Sequence, residues 1–316
     1  LWSACTLVAP ACARSSVEAL AASRVALGLA EGVTFPVIYW MLRRVVPDTE
    51  RSRAVAAVSI GTFVGATLSF VLTPLIMARW GWEAVFFVFG GVVGPAWTLA
   101  WVLLVPSDAS HAGAPPDDHS SNHNDANAST YADMLSRPPL QAIMLAHFVH
   151  NLTHFSLMAW MPTFFHDALG FEGANLSLTA LPYVVTGTSV VIASVVADKA
   201  IANKRLPAPV LRRVATVVGN SVAGTAMLLV ALAVSMSSTD SPLILLTLLS
   251  LALAANGAAP VAGYEAAKLD ITRSANDASR LQSLSNTLAT FAGIVGVPLV
   301  AKLRGPGLVD GWAPVF

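Results

Sequence analysis

Apolar residues in this chain come in long runs, not in the alternating pattern of a half-buried strand. The runs cover residues 17–42, 54–77, 84–105, 140–165, 176–196, 210–234, 243–262 and 281–301. Each has the roughly 20 residues that an α-helix needs to cross about 30 Å of hydrocarbon. Residues 1–13 read as the tail of a further helix, and another run begins at Trp312. A bilayer offers the backbone no hydrogen-bond partner, so spanning segments without alternation fold as helices and pack as a bundle, not a barrel. One long polar stretch, residues 107–138, is rich in Asp, Ser, His, Asn, Ala and Pro and has no period. It reads as a flexible linker between an N-terminal half, residues 1–106, and a C-terminal half, residues 139–316.

The halves repeat. Gly81-Trp82-Glu83-Ala84-Val85-Phe86 returns as Gly311-Trp312-Ala313-Pro314-Val315-Phe316, and Arg51-Ser52-Arg53 before one run parallels Ala278-Ser279-Arg280 before another. Repeated halves around a polar linker are a transporter architecture. Matching the halves run for run predicts an all-α integral membrane bundle of two pseudo-symmetric halves. About nine full spans of a twelve-helix protein would then be present, lacking helices at both ends. Lys and Arg fix the orientation. With the linker in the cytoplasm, the inner loops carry Arg43, Arg44, Arg51, Arg53, Arg137, Lys199, Lys204, Arg205, Arg212, Arg213, Lys268, Arg273 and Arg280. The outer loops carry only Arg14, Arg79, Lys302 and Arg304.

Composition agrees: 55% of residues are hydrophobic, 11% are charged and the formal net charge is zero. That balance excludes an ordinary soluble domain and leaves no basic surface for nucleic acid. Cys5 and Cys12 stand in apolar sequence and read as buried thiols, not a disulfide framework. Oligomeric state is not encoded in these patterns, and the plasma membrane, a lysosome or vesicle and a plastid envelope all accommodate such a bundle.

Charges inside an apolar run cost about 2.5–3.5 kcal/mol each on insertion scales and survive where they face a bundle interior or a wet cavity. Arg24 and Glu31 lie inside the run 17–42, seven residues apart, on one helix face and roughly 10 Å apart along the axis. That is too far for a simple ion pair and leaves room for a ligand. A guanidinium offers a planar fork of donors to carboxylate or phosphate, and Glu31 is a carboxyl able to take up and release a proton. The competing readings are a snorkelling Arg24 and a permanently partnered Glu31. Gly28 and Gly32 form a small-xxx-small pair open to a neighbouring helix, and Pro36 can kink the helix beyond them. His147, His150 and His154 share a helix face by spacing. They lack the further ligands a metal site needs, so no metal and no cofactor is expected. No nucleophile–base–orienter set is present either, so the chain does not read as an enzyme. Asn286 reads as a cavity residue or as a helix–helix hydrogen bond. Glu50, Arg51, Arg53, Asp198, Asp270 and Arg280 fall at cytoplasmic ends of runs, with Lys268, Arg273 and Asp277 beside them. They read either as gating salt bridges or as solvated loop charges.

Four blocks in order resemble the major facilitator superfamily, in its anion:cation symporter branch, which holds sialin, the vesicular glutamate transporters and the plastid phosphate and ascorbate transporters. The blocks are Arg24 with Gly28-Leu29-Ala30-Glu31-Gly32-Val33-Thr34-Phe35-Pro36 and Glu50-Arg51-Ser52-Arg53; Gly81 to Phe86 with Trp97 and Trp101; Ala146 to Asn151 with Trp160-Met161-Pro162 and Leu181-Pro182-Tyr183; and Leu269-Asp270-Ile271 with Ser285-Asn286-Thr287 and Gly293-Ile294-Val295-Gly296. The resemblance implies anion binding by Arg24 and proton coupling by Glu31. It places Tyr39, His150 and Asn151 at positions that vary between members, with His150-Asn151 of the plastid type. Ala267-Lys268 replaces the Asn-His usual before Leu-Asp-Ile. The function expected is secondary active transport of a small anion, phosphate or organic carboxylate, by alternating access coupled to H⁺ or Na⁺. A non-transporting anion-binding receptor or scaffold, and an inactive truncated product, are the alternatives.

Overall fold

The computed structural model describes residues 1–104, 129–236, 242–305 and 310–316. Residues 107–128 of the expected linker lie outside the described residues. Regular structure among the described residues is helical throughout. The N-terminal half comprises α1 (Trp2–Ser15), α2 (Val17–Glu31), α3 (Thr34–Val45), α4 (Arg51–Trp80), α5 (Trp82–Val88) and α6 (Gly94–Leu104). The end of the linker folds as α7 (Tyr131–Ser136). The C-terminal half comprises α8 (Pro138–Leu169), α9 (Leu181–Ala202), α10 (Ala208–Ser235), α11 (Pro242–Ala262), α12 (Tyr264–Ile271) and α13 (Ala275–Leu303).

Seven stretches among the described residues are long and apolar enough to cross a membrane: Val17–Val45, Asp48–Trp80, Trp82–Leu104, Ser177–Ala202, Ala208–Ser235, Pro242–Ile271 and Ala275–Leu303. The 32-residue α8 packs along α13. The described residues of the apolar runs are helical apart from the Gly32–Val33 turn, and α1 is a shorter helix of 14 residues. The chain is a multi-pass integral membrane protein. Trp312 sits in a 3₁₀ turn, Asp310–Val315.

Local chemistry sets the ends. Ser16 and Ser274 accept from backbone N–H groups of Ala19 and Asp277 and so cap α2 and α13. Thr130 and Asp133 form a reciprocal capping box on α7. Gly170 closes α8 in the left-handed region at φ 66°. The first long span breaks between Glu31 and Thr34. Pro36 accounts for this, because its ring lacks an N–H and collides with the carbonyl four residues back, at Gly32.

Two expectations change here. The Gly28/Gly32 face receives no neighbouring helix among the described residues: nothing approaches a Cβ built at Gly28, and at Gly32 only the helix's own carbonyls do. Close approach occurs instead at Gly90, in the π-turn Phe89–Val93, where a Cβ would lie 2.9 Å from the Ser3 carbonyl of α1. The span expected to end at residue 262 continues through α12 to Ile271. Cys5 and Cys12 are half-buried free thiols.

In the C-terminal half α11 packs against both α9 and α10, and α8 against α13. Its apolar core, which includes Phe164, Phe165, Val230, Leu249 and Trp312, lies toward the end away from the linker. The halves meet where α4 lies along α9 and α3 along α13. A second core of Val55, Ala56, Phe63, Val190, Val261, Leu269 and Ala278 fills that junction.

Candidate functional site

A cavity of about 220 Å³ lies between the halves. The N-terminal half contributes Phe35 and Tyr39 from α3 and Ser59, Thr62 and Phe63 from α4. The C-terminal half contributes His147, His150, Asn151 and His154 from α8, Tyr264 and Glu265 from α12, and Gln282 and Asn286 from α13. The histidines reach it together because spacings of three and four put them on one face of α8. The His150 and His154 rings stack 5.9 Å apart with planes 9° from parallel, and His154 meets the edge of Phe63. His150 Nδ1 is buried without a hydrogen-bond partner.

At one side of this cavity sits a buried polar cluster. Glu265 and Lys268 are one turn apart on α12. Lys268 is fully buried, and its Nζ donates to Glu265 Oε1 at 2.5 Å, to Gln282 Oε1 at 2.8 Å and to His147 Nδ1 at 3.1 Å. Those three bonds use all three ammonium donors. An ammonium cannot accept, so His147 Nδ1 is the unprotonated nitrogen. The ring proton then sits on Nε2, which faces Glu265 Oε1 at 3.5 Å. Ser285 Oγ lies 2.7 Å from the same Nδ1. Across the junction, the Tyr39 hydroxyl donates to Glu265 Oε2.

The linker side of the junction is closed by charge. Asp270 accepts from Arg51 Nη1 of α4 at 2.9 Å and from Arg212 Nε of α10 at 2.8 Å. Arg212 also donates to Ser52 Oγ at 2.6 Å, and Arg51 pairs with Asp48 at 2.7 Å. Asp198, 2% exposed, accepts from the backbone N–H groups of Ser52 and Arg53 and from Arg53 Nε. It thereby caps the first turn of α4 from the opposite half, where N–H groups and helix dipole favour an anion. Glu50 pairs with Arg53 at 3.1 Å. Arg43 donates twice to the Thr272 carbonyl, and Trp40 to Asn276. Arg280 donates to the Ser129 carbonyl, and Asp277 accepts from Ser129, tying the linker's end to α13.

Of the substrate-binding residues expected from sequence, Tyr39, His150, Asn151 and Asn286 line the cavity. Arg24 and Glu31 lie off it. Arg24 is on α2, which packs against α1, and its guanidinium donates to the Cys5 carbonyl at 3.2 Å and to Ser23 Oγ at 3.3 Å. Glu31 is exposed at the break before α3 and makes no hydrogen bond or ion pair among the described residues. The cluster of Glu265 and Gln282 was not singled out from sequence, where Ser285 stood only within the block Ser285-Asn286-Thr287. Its signal was the Glu-x-x-Lys spacing directly after an apolar run.

The Major Facilitator Superfamily model matches residues 1–297. The chain belongs to the major facilitator superfamily. Among curated proteins, sialin of Ovis aries is 30% identical over 320 residues, covering 98% of this chain and 63% of that protein. A putative inorganic phosphate cotransporter of Drosophila melanogaster is 31% identical, covering 93% of this chain and 56% of its own length. A chloroplastic ascorbate transporter of Arabidopsis thaliana is 29% identical over 62% of this chain and 38% of its own. This superfamily member thus spans less than two thirds of the length of these relatives. In its fold, the junction of the two halves holds both the cavity and the charged seam beneath it.

Proposed function

We propose that the chain is part of a secondary active transporter that carries a small anion by alternating access, coupled to H⁺ or Na⁺. The observation that carries this reading is the position of the cavity. It lies between two halves that are joined on the linker side by hydrogen-bonded charges, so separating that seam would open the cavity toward the linker. The names of the relatives support an anion: one is a phosphate cotransporter and one an ascorbate transporter. The cavity's donors fit that class. Asn151 and Asn286 have amide groups able to donate to phosphate or carboxylate oxygens, and His150 adds a ring nitrogen to the same wall.

The test is uptake into proteoliposomes containing the purified protein, with inorganic phosphate and gluconate as probes and an imposed H⁺ or Na⁺ gradient. Accumulation of either anion above the outside concentration, abolished when the gradient is dissipated, is the expected result. Saturable binding with neither accumulation nor exchange would instead make the protein an anion receptor.

A further inference from the structure

Glu265 is the one Asp, Glu, Lys or Arg side chain among the described residues lining the central cavity. Lys268 lies behind it, fully buried. The pair is neutral as a unit, but its negative member faces the cavity. An anion entering this space meets a carboxylate and no available cation. For an anion carrier that arrangement is useful only if it changes during the cycle.

Resting on the transport reading above, we propose that Glu265 carries the coupled proton and that Lys268 is the cation that then holds the transported anion. A proton from water binds a Glu265 oxygen, so the carboxylate no longer neutralises Lys268. The ammonium turns from Glu265 Oε1 toward the cavity, and the anion takes the carboxylate's place as counter-charge. On the other side the proton returns to water, the Glu265–Lys268 pair closes again, and the anion is expelled. One O–H bond forms and breaks per cycle, and charge balances at one H⁺ per monovalent anion. His150, whose Nδ1 is buried without a partner, is a further polar group in the cavity wall.

The surroundings of Glu265 suit a site with two states. From its own helix it meets Lys268, from α8 His147 Nε2, and from α3 the Tyr39 hydroxyl. From α13 the cluster receives the neutral Gln282 and Ser285. α11 carries no ionisable side chain. Arg51 of α4 and Arg212 of α10 are held by Asp270 instead. The Tyr39–Glu265 bond also crosses from one half to the other. A hydrogen bond to a carboxylate is roughly twice as strong as one between neutral groups, so protonating Glu265 weakens a tie across the junction. Loading and release of the seam are thereby linked through one oxygen pair.

The test compares wild type with Glu265→Gln, a permanent mimic of the protonated side chain, and with Glu31→Gln, in proteoliposomes with inorganic phosphate and gluconate. Wild type and Glu31→Gln should accumulate anion about tenfold per pH unit of inward gradient, the limit set by one proton per monovalent anion. Glu265→Gln should show no accumulation, yet still exchange internal for external anion. Glu265→Gln retaining tenfold accumulation per pH unit overturns the proposal, as does a wild type driven by Na⁺ and indifferent to pH; either leaves the transport reading standing. A wild type that neither accumulates nor exchanges either anion overturns that reading and this one with it. Should Glu265→Gln fail to fold, wild type decides alone. Anion binding in weakly buffered detergent solution should withdraw about one proton per anion, read with an indicator dye, and binding without proton uptake overturns the assignment.

Discussion

Asp270→Asn tests whether the charged seam holds the halves together. The substitution keeps the shape but removes the charge that two guanidiniums share, at 2.9 Å from Arg51 and 2.8 Å from Arg212. Both arginines are 4% exposed. Removing one partner of a buried pair costs about 3–5 kcal/mol. The Asp270 side chain is 22% exposed and Arg51 keeps Asp48, so the lower figure, about 3 kcal/mol, applies. The Arg212 contact lies within the C-terminal half and survives any rigid movement of the halves; only the Arg51 contact crosses. Assigning half of the loss to the crossing contact shifts the closed–open equilibrium by about 1.5 kcal/mol, roughly tenfold. The assay is maleimide labelling of Ala56→Cys, a position 2% exposed in the junction core, in a background with Cys5 and Cys12 replaced by Ala. Asp270→Asn should raise the labelling rate about tenfold, and Arg51→Gln should do much the same. A change below twofold in a folded protein would refute the view that this ion pair closes the seam.

Three other outcomes follow from the same geometry. Asp198→Asn places an amide NH₂ against the donors of α4's first turn, in a site 2% exposed, and should loosen the seam by about 2 kcal/mol. The same labelling assay should then show an increase of tenfold or more; a wild-type rate would count against the cap. Trp312→Ala empties a fully buried site against Phe164 and Trp160 and removes a hydrogen bond to Asp167, costing about 3–5 kcal/mol. Thermal unfolding in detergent should fall by several degrees, and an unchanged midpoint would show that this turn carries no stability. On α7, the Thr130 hydroxyl and then its N–H bond the Asp133 carboxylate, which holds that group below its ordinary pKa. Its contribution is present above the unfolded value and is lost as pH falls through the lower folded value. Amide protection in α7 should therefore persist through the ordinary carboxylate range, near pH 4, and fray below it; fraying well above about pH 4 is the contrary result.

The spans were legible because membrane helices announce themselves by length and apolarity. Their limits failed where charges were buried in pairs. Glu265, Lys268 and Asp270 break the hydropathy after residue 262, yet α12 continues the span because each charge has a partner supplied by another element: Tyr39, His147 and Gln282 for the first two, Arg51 and Arg212 for the third. A one-dimensional scale counts each charge as a cost and cannot see its neighbour. The seam charges Arg51, Arg53, Asp198 and Asp270 could be picked out as candidates by position, but only the fold tells a pair from a solvated loop. The reverse holds for Arg24 and Glu31. Their place on one face was readable, whereas the break before Pro36, which leaves α2 against α1 while α3 alone borders the cavity, depends on which helices pack together.

Apolar packing holds the C-terminal half together, whereas the junction between the halves combines an apolar core with hydrogen-bonded charges. Inside the C-terminal half, α8, α10, α11 and α13 are joined by fully buried apolar side chains such as Phe165, Val230 and Leu249. Separating them would give up close side-chain packing, which is what holds helices together in a bilayer. At the linker end of the junction, the ties are hydrogen-bonded charges: Asp198 on the first turn of α4, Asp270 on Arg51, the Thr272 carbonyl on Arg43. Water can replace each of those partners when the seam opens, so the net loss per bond is only about 0.5–1.5 kcal/mol, or about 1.5–3 where a charge is involved. A handful of such bonds holds one arrangement while leaving another within reach of a bound ligand, the condition for a switch between two states. The Tyr39–Glu265 bond belongs to the same class but sits at the cavity itself. In the proposed cycle it is the point at which the occupant of the cavity acts on the seam.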